Sequence, residues 1–208
     1  LFSVPFIQLY DVPWNFFTHD VAYWEEYVKQ EEGLSDLSDV KVSPVPADAK
    51  LTKSSREYRL EGSLEHVWKG YVENNPFEVF KSDVLTLHSV YVPSLGARVT
   101  EAQAWVGSLV SGVKLFLNMK AIVGSQMMTA LQATQIDSDA HVIRFDYLEK
   151  TPVIGYQTLT FVELNENGKL STKIVHDSFY EGASYFVHEQ YDRIHNVMID
   201  AMHAAVAK

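Results

Sequence analysis

Asn167-Gly168 sits between two runs that alternate apolar and polar residues, "YQTLTFVELNE" before it and "KLSTKIVHDSFYEG" after it. A type I′ turn needs positive φ at both central residues, and this dipeptide supplies it with little strain, so the two runs form an antiparallel hairpin. Pairing Glu166 with Lys169 sets Phe161 opposite Ile174 and Leu159 opposite His176. On the reverse side Thr158 then faces Asp177 and Val162 faces Lys173. A slip of one residue would mix the two faces, so the register is strongly specified. It leaves an ionisable ring, His176, on an inward face with Leu159, Phe161, Ile174 and Tyr180.

Four further runs have the same character: "DVLTLHSVYVPS", "VKLFLNMKAIV", "MMTALQATQI" and "HVIRFDYLE". Short polar turns separate the last three and the hairpin, which favours antiparallel neighbours over crossover helices. "ARVTEAQAWVGSLVSG" fits either a helix or a wide loop. Upstream, "REYRLEGS" alternates as a first strand. It leads into "SLEHVWKGYVENNPFEVF", where Ser63 is an N-cap and Leu64, Val67, Trp68 and Tyr71 make one apolar stripe. Pro76 breaks that helix and a shorter helical turn follows. From about Ala183 to Ala207 the residues Val187, Tyr191, Ile194, Met198, Ala201 and Ala205 recur at helical spacing. They give an apolar stripe roughly 35 Å long that needs an apolar surface to lie on, and the sheet is the candidate.

The chain has 208 residues, enough for one well-formed core in which about 70% of the unfolded surface is buried. Its formal charge of −10, with no local Lys/Arg cluster, argues against nucleic acid and against an anionic membrane surface. No apolar run approaches a membrane span. Cysteine is absent, which excludes disulfides, thiolate nucleophiles and Cys-ligated zinc but leaves the compartment open. Leu1 in place of Met fits removal of a leader or trimming of the chain. Residues 1–54 read as an aromatic extension, with a short helix near Asp20 to Glu31, a stop at Gly33 and a connector that Pro44 and Pro46 keep extended. Its aromatic rings must pack on something: the chain's own domain, a pocket that they cover, or a second copy in a homodimer. Residues 55–208 are the main domain.

The order is therefore strand, two helices, six antiparallel strands and a long C-terminal helix, an α+β pattern. It resembles the helix-grip fold of the START and Bet v 1-like superfamily, which includes lipid-transfer domains, plant ligand-binding allergens and polyketide aromatase/cyclases. The local likeness lies in "YRLEGSLEHVWKGYVENNPFEVF", where a first strand runs into Ser63 and then a Val67-Trp68 pair in the first helix. The resemblance implies a curved antiparallel sheet of about seven strands wrapped around the C-terminal helix, with a hydrophobic cavity between them. It implies binding of a hydrophobic small molecule such as a lipid, sterol or polyketide, and carries no common catalytic motif. Expected cavity-lining residues are Leu115, Leu117, Phe145, Tyr147, Leu159, Phe161, Ile174, His176, Tyr180, Tyr191 and Met198.

Three roles are open to His176: a packed core ring, a polar anchor for ligand, or a general acid or base. In the last case the protein is a polyketide cyclase or dehydratase, in which His176 enolises a polycarbonyl substrate and Tyr147 steadies the oxyanion. An interaction protein using the aromatic arm is the further alternative. His188, Asp192 and His195 are spaced along one helix, but the two histidines are about 10 Å apart and cannot share an ion, so no metal site is expected. That reading places His195 at the wet edge of the stripe. No nucleophile elbow, P-loop or dinucleotide fingerprint occurs, and no cofactor is expected.

Overall fold

A computed structural model describes residues 34–82, 85–103, 105, 107–120, 126–149, 151–182, 191–192, 195–196, 199–200, 202–204 and 206. The arm helix predicted near 20–31, together with Val187, His188, Ile194, Met198, Ala201 and Ala205, lies outside the described residues.

Eight strands form one antiparallel sheet. They are β1 (Thr52–Glu61), β2 (Leu85–Val92), β3 (Ala97–Val99), β4 (Lys114–Lys120), β5 (Gln126–Asp137), β6 (Val142–Tyr147), β7 (Val153–Glu166) and β8 (Lys169–Gly182). The spatial order is β1-β8-β7-β6-β5-β4-β2-β3, so the first strand closes onto the last while every other pairing except β2 with β4 joins strands consecutive in the chain. Two helices lie between β1 and β2. Helix α1 (Leu64–Val72) is capped by the Ser63 side chain, which accepts from the His66 amide, and α2 (Pro76–Val79) is capped by Asn75 with Pro76 in its first turn.

The predicted hairpin forms in the predicted register: Glu166 pairs with Lys169, Phe161 with Ile174 and Leu159 with His176. Asn167 and Gly168 both adopt positive φ, 54° and 82°. Against about seven expected strands there is one more, β3, drawn from the stretch that fitted either helix or loop. It pairs with β2 through Val90, Tyr91 and Val92. β1 starts at Thr52, ahead of the division placed after residue 54, because Thr52, Lys53 and Ser54 continue the pairing with Tyr180, Phe179 and Ser178. One extra residue enters β2 between Leu87 and Ser89 and β5 between Ala133 and Gln135, the kind of insertion that bends a strand and increases its twist.

The inner face holds the main core. Leu115 and Leu117 of β4, Phe145 and Tyr147 of β6, Leu159 and Phe161 of β7, and Ile174 and Tyr180 of β8 are all buried there. α1 presses Trp68 and Tyr71 edge-on against Phe161, with ring centroids 5.3 and 5.0 Å away, the favoured geometry for aromatic pairs. The outer face is covered over β4, β5 and β6. Leu37 and Val40, around the 3-10 turn Leu37–Asp39, pack on Phe116, Met128, Ala130 and Leu148. Lys114 reaches across to the carbonyls of Ser38 and Val40 at 2.5 and 2.7 Å. The Ser43 amide donates to the Tyr147 carbonyl and the Glu149 amide to the Lys41 carbonyl, both at 2.8 Å. Elsewhere the outer face carries a ladder of stacked groups: Arg144 over Tyr156 at 3.8 Å, Tyr156 on Phe179 at 4.8 Å, and Lys53 over Phe179 at 5.3 Å.

Candidate ligand-binding site

Strand alternation places Gln157 on the inner face with Leu159 and Phe161, and Ser178 there with Ile174, His176 and Tyr180. Opposite them the chain is helical at 191–192, 195–196, 199–200, 202–204 and 206, and Tyr191, His195, Ile199, Met202 and His203 are buried. The polar groups caught between sheet and helix form a connected line. His176 Nε2 meets the Gln157 side-chain carbonyl at 3.0 Å, and the Gln157 amide donates to the Tyr147 hydroxyl at 2.5 Å. The Tyr147 hydroxyl lies 2.7 Å from that of Tyr191, and Ser178 Oγ lies 3.3 Å from His195 Nε2. Tyr191 stacks on Tyr180 at 3.5 Å and on His195 at 4.7 Å. His203 lies tilted against Tyr58, ring centroids 3.7 Å apart, and bonds to the Tyr71 hydroxyl through Nδ1.

These directions fix protons. A carbonyl oxygen only accepts, so His176 Nε2 carries the hydrogen and its Nδ1 is a bare acceptor. Tyr147 accepts from the Gln157 amide and shares a hydrogen bond with Tyr191 in which either hydroxyl can donate. Burial is the leading cause of every shift in the cluster: it pushes His176 and His203 down from 6.5 to about 3 and His195 well below its ordinary value. Burial likewise holds Tyr147 up at about 12. At neutral pH the interior is therefore rich in polar atoms and carries no charge.

Two cavities meet at His176 and Ile199. The first is an apolar chamber walled also by Phe80, Leu85, Leu117, Leu131, Phe145, Gln157, Leu159 and Met202, with a volume of about 20 Å³. The second is a narrow polar cleft between β1, β8 and the helix, too tight to hold a water, lined also by Ser54, Arg56, Tyr58, Ser178, His195 and Asn196. Arg56 and Asp200 face each other at 3.5 Å beside it, and the Tyr58 hydroxyl donates to Asp200 at 3.1 Å. His176 Nδ1, Asn196 Oδ1 and His203 Nε2 are buried without a hydrogen-bond partner among the described residues.

The chain matches no protein-family model and no curated protein. Its structure is similar to that of protein Ms6760 from Mycobacterium smegmatis, at 12% identity and a TM-score of 0.50 over 80% of this chain and 94% of that one. It is also similar to norcoclaurine synthase from Thalictrum flavum. A point mutant of that enzyme in complex with a transition-state analogue gives 13% identity and a TM-score of 0.53 over 77% of this chain and 95% of that one. The enzyme in complex with dopamine and hydroxybenzaldehyde gives 14% and 0.50 over 76% and 85%. At such identities the shared property is the path of the chain. The chain has the Bet v 1-like helix-grip fold.

Within this helix-grip fold, Leu117, Phe145, Leu159 and His176 line the apolar chamber. Leu115, Tyr147, Phe161, Ile174, Tyr180 and Tyr191 are buried in the surrounding core, and Met198 lies outside the described residues. Tyr147 and His176, the two catalytic candidates, are joined through Gln157. One expectation is corrected: His195 is 6% exposed and faces the sheet, so the wet edge of the helix lies elsewhere, at Asp192 and Asp200. The predicted stripe includes Tyr191 but not His195, Ile199 and Met202, which follow it at helical spacing and are buried, because that reading counts a histidine as polar. Gln157 escaped notice for the same reason, although its two-residue offset from Leu159 places it inward. Among the described residues no helix is long and apolar enough to cross a membrane.

Proposed function

We propose that the space between sheet and C-terminal helix binds a largely apolar small molecule, with Leu117, Phe145, Leu159 and Tyr180 as apolar wall and His176 and Tyr147 as its polar reference points. The observation that carries this reading is the uncharged polar line from His176 to Tyr191, set in an otherwise apolar interior. Binding sites for small molecules have this composition, many apolar surfaces and a few placed polar groups. In norcoclaurine synthase, which shares the fold, a complex with two small aromatic molecules gives the reading a precedent. The chamber's volume of about 20 Å³ holds about one water, so a ligand fits only when the helix carrying Ile199 and Met202 shifts away from the sheet. Affinity is then reduced by the fraction of molecules in the open arrangement. The 55–208 unit would hold the ligand.

A cyclase or dehydratase role gains from the Tyr147–Gln157–His176 connection but loses more from the protonation state. A base near 3 has little hold on a proton at neutral pH, where general-base catalysis is most effective with a pKa close to the ambient value. The binding reading is tested by native mass spectrometry of protein purified from its own source, alongside a Leu117→Trp variant that fills the chamber. A co-purifying apolar mass present in the parent and missing from the variant is the expected result. No adduct in the parent, together with no saturable uptake of any apolar fluorophore, would remove the reading.

A further inference from the structure

The chamber and the cleft differ in chemistry, and His176 is the polar wall that they share. Asn196 lines the cleft, and two buried atoms, His176 Nδ1 and Asn196 Oδ1, have no partner among the described residues; both are acceptors. Nδ1 is an acceptor because Nε2 spends its hydrogen on the Gln157 carbonyl. An acceptor buried without a donor forfeits the hydrogen bond that it made to water when unfolded. A guest that brings an O–H or N–H relieves that deficit, whereas one that brings only lone pairs adds to it.

We propose that this site, on the binding reading above, selects molecules whose apolar body ends in a hydroxyl, an alcohol or a phenol, over ethers and carboxylates of the same skeleton. The apolar body occupies the chamber and the hydroxyl donates to His176 Nδ1 or Asn196 Oδ1. A carboxylate is disfavoured twice. It presents lone pairs to lone pairs, and the cation that could offset its charge, Arg56, already faces Asp200 at 3.5 Å, which also accepts from Tyr58. His195 offers no compensating donor on Nε2, which is turned to Ser178, and His203 lines neither cavity.

The test uses the full chain and three probes with one skeleton: 2-naphthol as donor, 2-methoxynaphthalene as acceptor only, and 2-naphthoate as anion. Affinities come from fluorescence titration at neutral pH. The expected order places 2-naphthol about tenfold tighter than the ether, the scale set by one buried hydrogen bond, with the naphthoate weakest. In whichever of His176→Phe and Asn196→Leu removes the accepting atom, that preference shrinks to about twofold or less, as expected when an unmet acceptor is replaced by carbon. Asn196 is only part-buried, so its variant stays informative if His176→Phe does not fold. Equal affinities for the three probes, or a hydroxyl preference that survives both substitutions, would overturn the inference and leave the binding reading standing. Binding of none of them overturns the inference, and removes the binding reading too when the parent carries no adduct and takes up no other apolar fluorophore.

Discussion

Gly155 is a residue whose smallness is demanded by the sheet. It sits in β7 at a φ of +124°, and a Cβ there would lie 1.9 Å from the Phe179 carbonyl oxygen of β8, a backbone atom that cannot swing aside. Gly155→Ala should cost about 3 kcal/mol or more, in the range that clash and backbone strain produce, and urea unfolding measures it. Gly168→Ala is the contrasting case. Its φ of +82° disfavours a side chain, but the surroundings are open, so the loss should be about 1 kcal/mol. If the two variants lose equal stability, the close approach at Gly155 is not the cause. Gly168 was legible because Asn-Gly between alternating runs is a local signal. Gly155 was not, since nothing in "TPVIGYQTLT" reveals how near the neighbouring backbone comes. His176 was legible as an inward ring from alternation alone, whereas its hydrogen-bond partner Gln157 needed the neighbouring strands to be in place.

At the scale of elements, strand pairing was readable because antiparallel neighbours are mostly consecutive, whereas the cover on the outer face was not. Leu37 and Val40 show no useful period, and their docking depends on Phe116 of β4, Met128 and Ala130 of β5, and Leu148 just past β6 coming together. The short segment around them acts as a brace. Leu37→Ala should cost about 2 to 5 kcal/mol, the usual range for truncating a buried leucine. Lys114→Ala leaves the Ser38 and Val40 carbonyls without that donor and should speed hydrogen exchange at the Ser43 and Glu149 amides, which join the segment to β6 and its end. Exchange unchanged at those amides would mean that the apolar contacts alone hold the brace. The C-terminal helix was legible as an amphipathic element, but the inward place of His195 was not, because its partner Ser178 comes from the sheet.

For the whole molecule, the buried histidines tie stability to pH. The unfolded chain has imidazoles near 6.5, while His176 and His203 in the fold are held down to about 3 by burial. As pH falls the unfolded state therefore takes up protons first. Stability should be flat with respect to these groups above about 6.5 and decline from there toward 3, at up to about 1.4 kcal/mol per pH unit for each histidine. Urea midpoints compared between pH 7.5 and 5.5, above the range where most carboxylates titrate, check this, and a His203→Leu variant that folds should show the shallower slope. One end of the sheet carries a consequence of another kind. β1 lies at one end, and its Lys53, Glu57, Arg59 and Glu61 pair with Asp177, Lys173, Glu166 and Lys169. A second molecule laying a strand along that side would have to strip water from this row of mixed charge. In a crowded solution the row acts as a fence, so that many copies can stand close together without one of them seeding a fibre from the next.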